Sequence, residues 1–277
     1  MPYEFGCNQY LHGLDERMSK AIHGVEDVAS PASRDDWWVS ITEESRHALV
    51  GTYKIRGKDL IFPLIKAALQ SGYRSFDTAA VYRNECEIGE ALRHYLPEFN
   101  LKREDIFITS KLSPRDQGSE RCQQAVDNSL TSLQVDYLDL FLIHWPGCQK
   151  LKPSDPANRE LRSQSWATLE KIYEAGKVRA IGVSNYTLSH LTHLIGQSSV
   201  IPHVNQVEYH PHYPQEELKL YCESQEKPPA PRSSCGQCSH KVFCLPSSSI
   251  AALGYSAGDR CATKVYKSRS HQTEYST

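Results

Sequence analysis

Between residues 47 and 224 the chain alternates short apolar runs, rich in Ile, Val, Phe and Tyr, with segments whose apolar residues recur at helical spacing. The runs predict strands over His47–Thr52, Tyr73–Thr78, Ile106–Ser110, Tyr137–Ile143, Val178–Val183 and His203–Glu208. Between them, SWATLEKIYEAG places Trp166, Leu169, Ile172 and Tyr173 on one helix face, with Gly176 where a glycine past the helix end belongs. The next helix, Thr187 to Gly196, offers Thr187 as N-cap and Leu188, Leu191, Leu194 and Ile195 as its apolar stripe. A strand and a helix in every 30 to 40 residues or so imply parallel strands joined by right-handed crossovers, in a doubly wound sheet or a closed barrel. No G-x-G-x-x-G occurs, so a dinucleotide crevice of the doubly wound type has no support, and an α/β parallel (β/α)8 barrel is preferred. About six βα units are recognisable, which predicts an incomplete barrel.

The flanks differ. Residues 1–45 are poorly patterned, and Asp35-Asp36-Trp37-Trp38 fits no element. From Glu226 to Thr277 four Cys, four Pro and ten Ser accumulate in 52 residues, net charge +4, with no sustained helical or strand period. The expected organisation is therefore an N-terminal extension over 1–45, a barrel over 46–225 and a disordered tail over 226–277.

Composition narrows the function. The 277 residues are 39% hydrophobic, enough for a full core, and a net charge of −2 gives no electrostatic footprint for nucleic acid or an anionic membrane. The longest apolar runs, such as LFLI at 140–143, are too short to span a bilayer, and the first 30 residues lack the h-region of a secretory leader. Cys7, Cys86, Cys122, Cys148 and Cys222 are scattered without the spacing of a disulfide framework, so a reducing cytoplasm is expected. In the tail, Cys235, Cys238, His240 and Cys244 are close enough to bind zinc, but their spacing is not that of a standard finger and no metal is expected.

In parallel α/β folds the chemistry gathers at the C-terminal ends of the strands. There the chain presents Asp77, Lys111, His144, Ser184-Asn185 and Gln206, with Tyr82 five residues past Asp77. Singly, each has a bland explanation in packing or solvation. Jointly they suit proton donation to a carbonyl: Tyr82 as acid, Lys111 as the ammonium that eases loss of its proton, and Asp77 as that ammonium's partner. His144 directs the carbonyl oxygen, while the amides of Asn185 and Gln206, each with a donor and an acceptor, suit a nicotinamide carboxamide.

Five segments carry a resemblance. GYRSFDTAAVYRNECEIG (72–89) and RAIGVSNY (179–186) resemble the first and second signatures of the aldo-keto reductases, and ITSKL, LFLIHWP and NQVEYHP look like the family's Lys, His and Gln segments. The resemblance implies a (β/α)8 barrel, NADPH as cofactor and a catalytic tetrad at Asp77, Tyr82, Lys111 and His144. It also implies that Ser184, Asn185 and Gln206 meet the nicotinamide, that Gly51, Thr52 and Tyr53 form the loop after the first strand, and that Trp145 lines the substrate pocket with Tyr82 and His144. Glyoxal and prostaglandin-endoperoxide reductases are the branch it is most similar to, acting on small carbonyl compounds, and many relatives are monomers. Two departures stand out. HALVGTYKIRG lacks the second glycine usual before Gly51, and VYKSRSHQT (265–273) is similar to the last signature only through Lys267 and Ser268. The chain is accordingly expected to be a variant product of a complete reductase. The alternative is a catalytically impaired form acting through binding.

Overall fold

The structure is a computed structural model that describes residues 49–209, 212–225 and 243–246. Six strands, β1 (Leu49–Gly51), β2 (Ser75–Asp77), β3 (Phe107–Leu112), β4 (Leu140–Ile143), β5 (Ile181–Ser184) and β6 (Val204–Val207), pair in parallel and in chain order. A helix follows each one: α1 (Lys58–Gln70), α2 (Glu85–Glu98), α3 (Ser119–Leu133), α4 (Ala157–Glu174), α5 (Leu188–Ile195) and α6 (Glu216–Ser224). These are the six βα units read from the sequence. β3 runs two residues past its expected end, so Lys111 stands within the strand rather than after it.

One further strand lies in the tail. Phe243–Pro246, inside the stretch expected to be disordered, forms a seventh parallel strand, β7, on the free edge of β6. A four-residue apolar run shows no alternation, and a parallel strand needs none, so periodicity alone misses it. The expectations for residues 1–45, for Cys235, Cys238 and His240, and for Lys267 and Ser268 lie outside the described residues.

Strand parity explains both the core and the site. In β4, Phe141 and Ile143 join the large apolar layer between sheet and helices, whereas Leu140 and Leu142 join Phe107, Ala180 and Val204 in a smaller cluster on the sheet's other face. Both faces are covered, which is why LFLI is unbroken. Trp166, Leu169 and Ile172 of α4 and Leu191 and Leu194 of α5 supply the helix side of the larger layer. Gly176, at φ 77, follows the end of α4 as expected. At the strand N-termini, fully buried Asp139 pairs with Arg103 (2.6 Å) and Arg179 (3.4 Å), whose guanidinium groups lie 4.1 and 3.8 Å from the Tyr137 ring centroid. That knot ties β3, β4 and β5 together at the end opposite the candidate site.

Candidate active site

Counting by twos along each strand places Asp77 of β2, Lys111 of β3, Ser184 of β5 and Gln206 of β6 on the same face as the smaller cluster, at the C-terminal ends. His144, one residue past β4, continues the parity of Leu140 and Leu142. Tyr82 comes from a 3-10 turn, Ala80–Tyr82, in the connection from β2 to α2.

Lys111 is 1% exposed, and such an ammonium persists only with partners. Its Nζ donates to Asp77 Oδ1 at 2.5 Å and to the Thr78 carbonyl at 3.0 Å, and it lies 5.3 Å from the Tyr82 ring centroid. The His144 ring meets Tyr82 edge-on at 5.7 Å, and Trp145, half exposed, stacks beside His144 at 6.3 Å. Tyr53 tilts against the Tyr82 ring at 5.1 Å. Asp77, Tyr82, Lys111, His144, Trp145 and Tyr53 thus form one connected group.

The electrostatics set the resting state of the site. Burial first, then the charge of Asp77 and the neighbouring Tyr53, push the Tyr82 phenol well above its ordinary value, so the resting site holds the proton firmly. Lys111 does not outweigh them, because its charge is spent on Asp77 and burial draws its own pKa down. Burial and then the Lys111 charge lower His144 to about 4, leaving the ring neutral at physiological pH.

The two amides differ in what they have left to offer a carboxamide. Gln206 Nε2 donates to Asp77 Oδ2 (3.1 Å), and Asn185 Nδ2 donates to the His144 carbonyl (2.9 Å) and to Ser184 Oγ (3.1 Å). The Ser184 hydroxyl donates to the Gln206 carbonyl at 2.8 Å. Among the described residues no hydrogen bond uses Asn185 Oδ1 or Gln206 Oε1; with both Nδ2 hydrogens engaged Asn185 is left an acceptor, whereas Gln206 keeps one amide hydrogen beside its acceptor, and both suit a carboxamide. Thr52 is wholly buried and holds the Asp77 carbonyl through its N–H (3.1 Å) and its hydroxyl (3.0 Å). Gly51 pairs in register with Asp77.

Three residues went unnoticed in the sequence. Gln117, after β3, donates to the carbonyls of Trp145 (2.8 Å) and Gly147 (3.0 Å). Asn158 accepts from Cys148 N–H (2.8 Å) and donates to the Lys152 carbonyl (2.7 Å), while Arg162 donates to the Pro146 carbonyl (3.3 Å). Together they clamp the loop that carries Trp145. The one visible signal was a set of polar residues at positions where burial turned out to be nearly complete.

A profile of the aldo/keto reductase family matches residues 50–239. The chain belongs to that family. Glyoxal reductase of Bacillus subtilis is 44% identical over 176 residues, covering 64% of this chain and 58% of the relative. A 9,11-endoperoxide prostaglandin H2 reductase of Trypanosoma cruzi is 40% identical over 158 residues, covering 57% of this chain and 50% of the relative. Among solved structures, an aldo/keto reductase of Brucella melitensis aligns at TM-score 0.56 and 39% identity, covering 63% of each chain. The Bombyx mori aldo-keto reductase in complex with NADP aligns at TM-score 0.58 and 30% identity, covering 64% of this chain and 59% of the other. This aldo/keto reductase therefore spans between half and two thirds of the length of those relatives, and among the described residues its six βα units and β7 form an incomplete barrel.

Proposed function

We propose that this aldo/keto reductase reduces the carbonyl group of small aldehydes and ketones, with NADPH as cofactor and Tyr82 as the proton donor. The observation that carries the reading is the buried Lys111–Asp77 pair set beside Tyr82, with His144 edge-on to the same ring. Relatives named glyoxal reductase and D/L-glyceraldehyde reductase support a small carbonyl compound as substrate.

The protein's part is proton supply and orientation. Tyr82, held neutral by burial, gives up its proton only as negative charge builds on the carbonyl oxygen. Lys111 then faces the phenolate, and Asp77 keeps that ammonium in place. Neutral His144 hydrogen-bonds the same oxygen and fixes its direction. Bound NADPH supplies the hydride. Asn185 Oδ1 and Gln206 Oε1 would hold the nicotinamide carboxamide, and Ser184, Gly51, Thr52 and Tyr53 would border it. Trp145 forms the outer wall of the substrate pocket.

We assign the protein to a reducing cytoplasm and to the monomeric state. Free thiols at Cys86, Cys122 and Cys148 support the first assignment. No helix among the described residues is long and apolar enough to cross a membrane. A second reading, a catalytically impaired form acting through binding, is favoured by the outer edges of β1 and β7, which have no further strand partner among the described residues.

Turnover of NADPH with methylglyoxal distinguishes the two. The Tyr82→Phe substitution is expected to lower kcat by ~10²- to 10⁴-fold while leaving NADPH affinity, read by fluorescence titration, unchanged. Equal turnover in the variant and the parent would remove Tyr82 from the acid role.

A further inference from the structure

Tyr82 is the one tetrad member held on a short turn rather than at the end of a strand, so its position depends on whatever anchors that turn. Two residues later stands Asn84, fully buried, immediately before α2. An asparagine there ordinarily accepts a hydrogen bond from the first turn of its helix. Asn84 makes no such cap. Its Nδ2 donates instead to the carbonyls of Thr52 (3.0 Å) and Ile55 (2.8 Å), and its Oδ1 accepts from the Thr78 hydroxyl at 2.7 Å.

Each of those bonds ends next to the tetrad. The Thr78 carbonyl receives the Lys111 ammonium, and Thr52 holds the Asp77 carbonyl. Tyr53, between the two anchored carbonyls, leans on the Tyr82 ring, while Arg56 Nε donates to the Tyr82 carbonyl at 2.7 Å. We propose that Asn84 is a positioning residue: it fastens the loop after β1 to the connection after β2, and so sets Tyr82 against Lys111 and Asp77. Its role is exerted through Tyr82, and no contact with substrate or cofactor is assigned to it. The inference rests on the proposed reductase reading for its catalytic consequence but not for its structural one.

The full-length chain is tested as Asn84→Ala, which removes all three bonds, and as Asn84→Asp. The aspartate keeps the acceptor for Thr78 but turns an oxygen toward two carbonyls. With NADPH and methylglyoxal, both variants are expected to lose ~10- to 100-fold in kcat, with KM for methylglyoxal held within about threefold. The alkaline limb of the kcat profile should also move, because Tyr82 is faced by Lys111, Asp77, His144 and Tyr53, and its distances to them change. A residue of merely structural importance would lower the yield of active protein without displacing that limb. The second readout needs no activity. Lys54 and Arg56 are exposed on the fastened loop, so trypsin should cut after them several-fold faster in both variants, as followed by mass spectrometry. Should neither variant fold, Thr78→Val, which deletes one of the three bonds at nearly constant shape, is expected to shift both readouts in the same direction. Parental cleavage rates together with an unmoved pH profile would overturn the proposal. A parent chain without turnover would refute the reductase reading instead, and the trypsin measurement would still decide the role of Asn84.

Discussion

His144 shows how burial sets the behaviour of a single side chain here. The imidazole is 8% exposed, beside the Lys111 ammonium, and its pKa falls from an ordinary 6.5 to about 4. Above pH 6.5 folded and unfolded chains both carry the neutral ring, so its protonation costs the fold nothing. As the pH drops toward about 4, the unfolded chain takes up a proton that the folded site refuses, and stability declines across that window. Melts between pH 7 and 4 are expected to show a falling midpoint, and the His144→Gln substitution should flatten that part of the curve. An unchanged slope in the variant would assign the effect to another group. Residue identity and strand-end location were legible in the sequence, because parity alone brings Asp77, Lys111 and Gln206 to one face. The direction of each hydrogen bond was not. Gln206 gives its N–H to Asp77, a residue 129 positions away, and no local pattern encodes that choice.

Among the elements, two glycines allow a close approach that no other residue would fit. In β5, a Cβ built on Gly182 would lie 2.5 Å from the Val204 carbonyl oxygen of β6 and 2.8 Å from Leu142 Cδ2 of β4. On α2, one on Gly89 would collide with the carbonyl oxygen of Leu133, the last residue of α3. Backbone atoms on a neighbouring element cannot step aside as a flexible side chain does. The Gly182→Ala substitution is therefore expected to cost about 1–3 kcal/mol, read as a lower urea midpoint at constant m-value. Wild-type stability would mean that β5 and β6 separate easily. The same scale shows where sequence patterning stops. Trp145 to Arg162 reads as a long polar loop, yet α4 begins at Ala157. Its first turns carry Asn158 and Arg162, which are buried for hydrogen bonding to the Trp145 loop rather than for apolar packing, so the helical period is masked.

For the whole molecule, the sheet runs from β1 to β7, and among the described residues neither of those two strands has a further partner. Unpaired strand edges leave N–H and C=O groups without ladder partners, a demand that a closed barrel meets internally. Stability and cofactor binding are therefore best tested together. If the proposed site holds NADPH, a concentration near 100 times Kd adds about 2.7 kcal/mol to the folded state, which corresponds to a midpoint roughly 5–10 °C higher. A cooperative melt that shifts upward would support a folded, cofactor-binding chain. A melt indifferent to NADPH would favour the impaired alternative.

The order of strands and helices, the family signatures and the set of residues delivered to one rim were all determined by the sequence. Parallel βα units orient every strand alike, so local patterning is enough to carry them. Tertiary structure alone decided the pairing of Phe243–Pro246 with β6, the use of Asn84 as a fastener rather than a cap, and the clamp of Gln117, Asn158 and Arg162 on the Trp145 loop. Each of these is a buried polar group or a strand edge satisfied by a partner on another element or loop, and that partner is in reach only once the chain has folded.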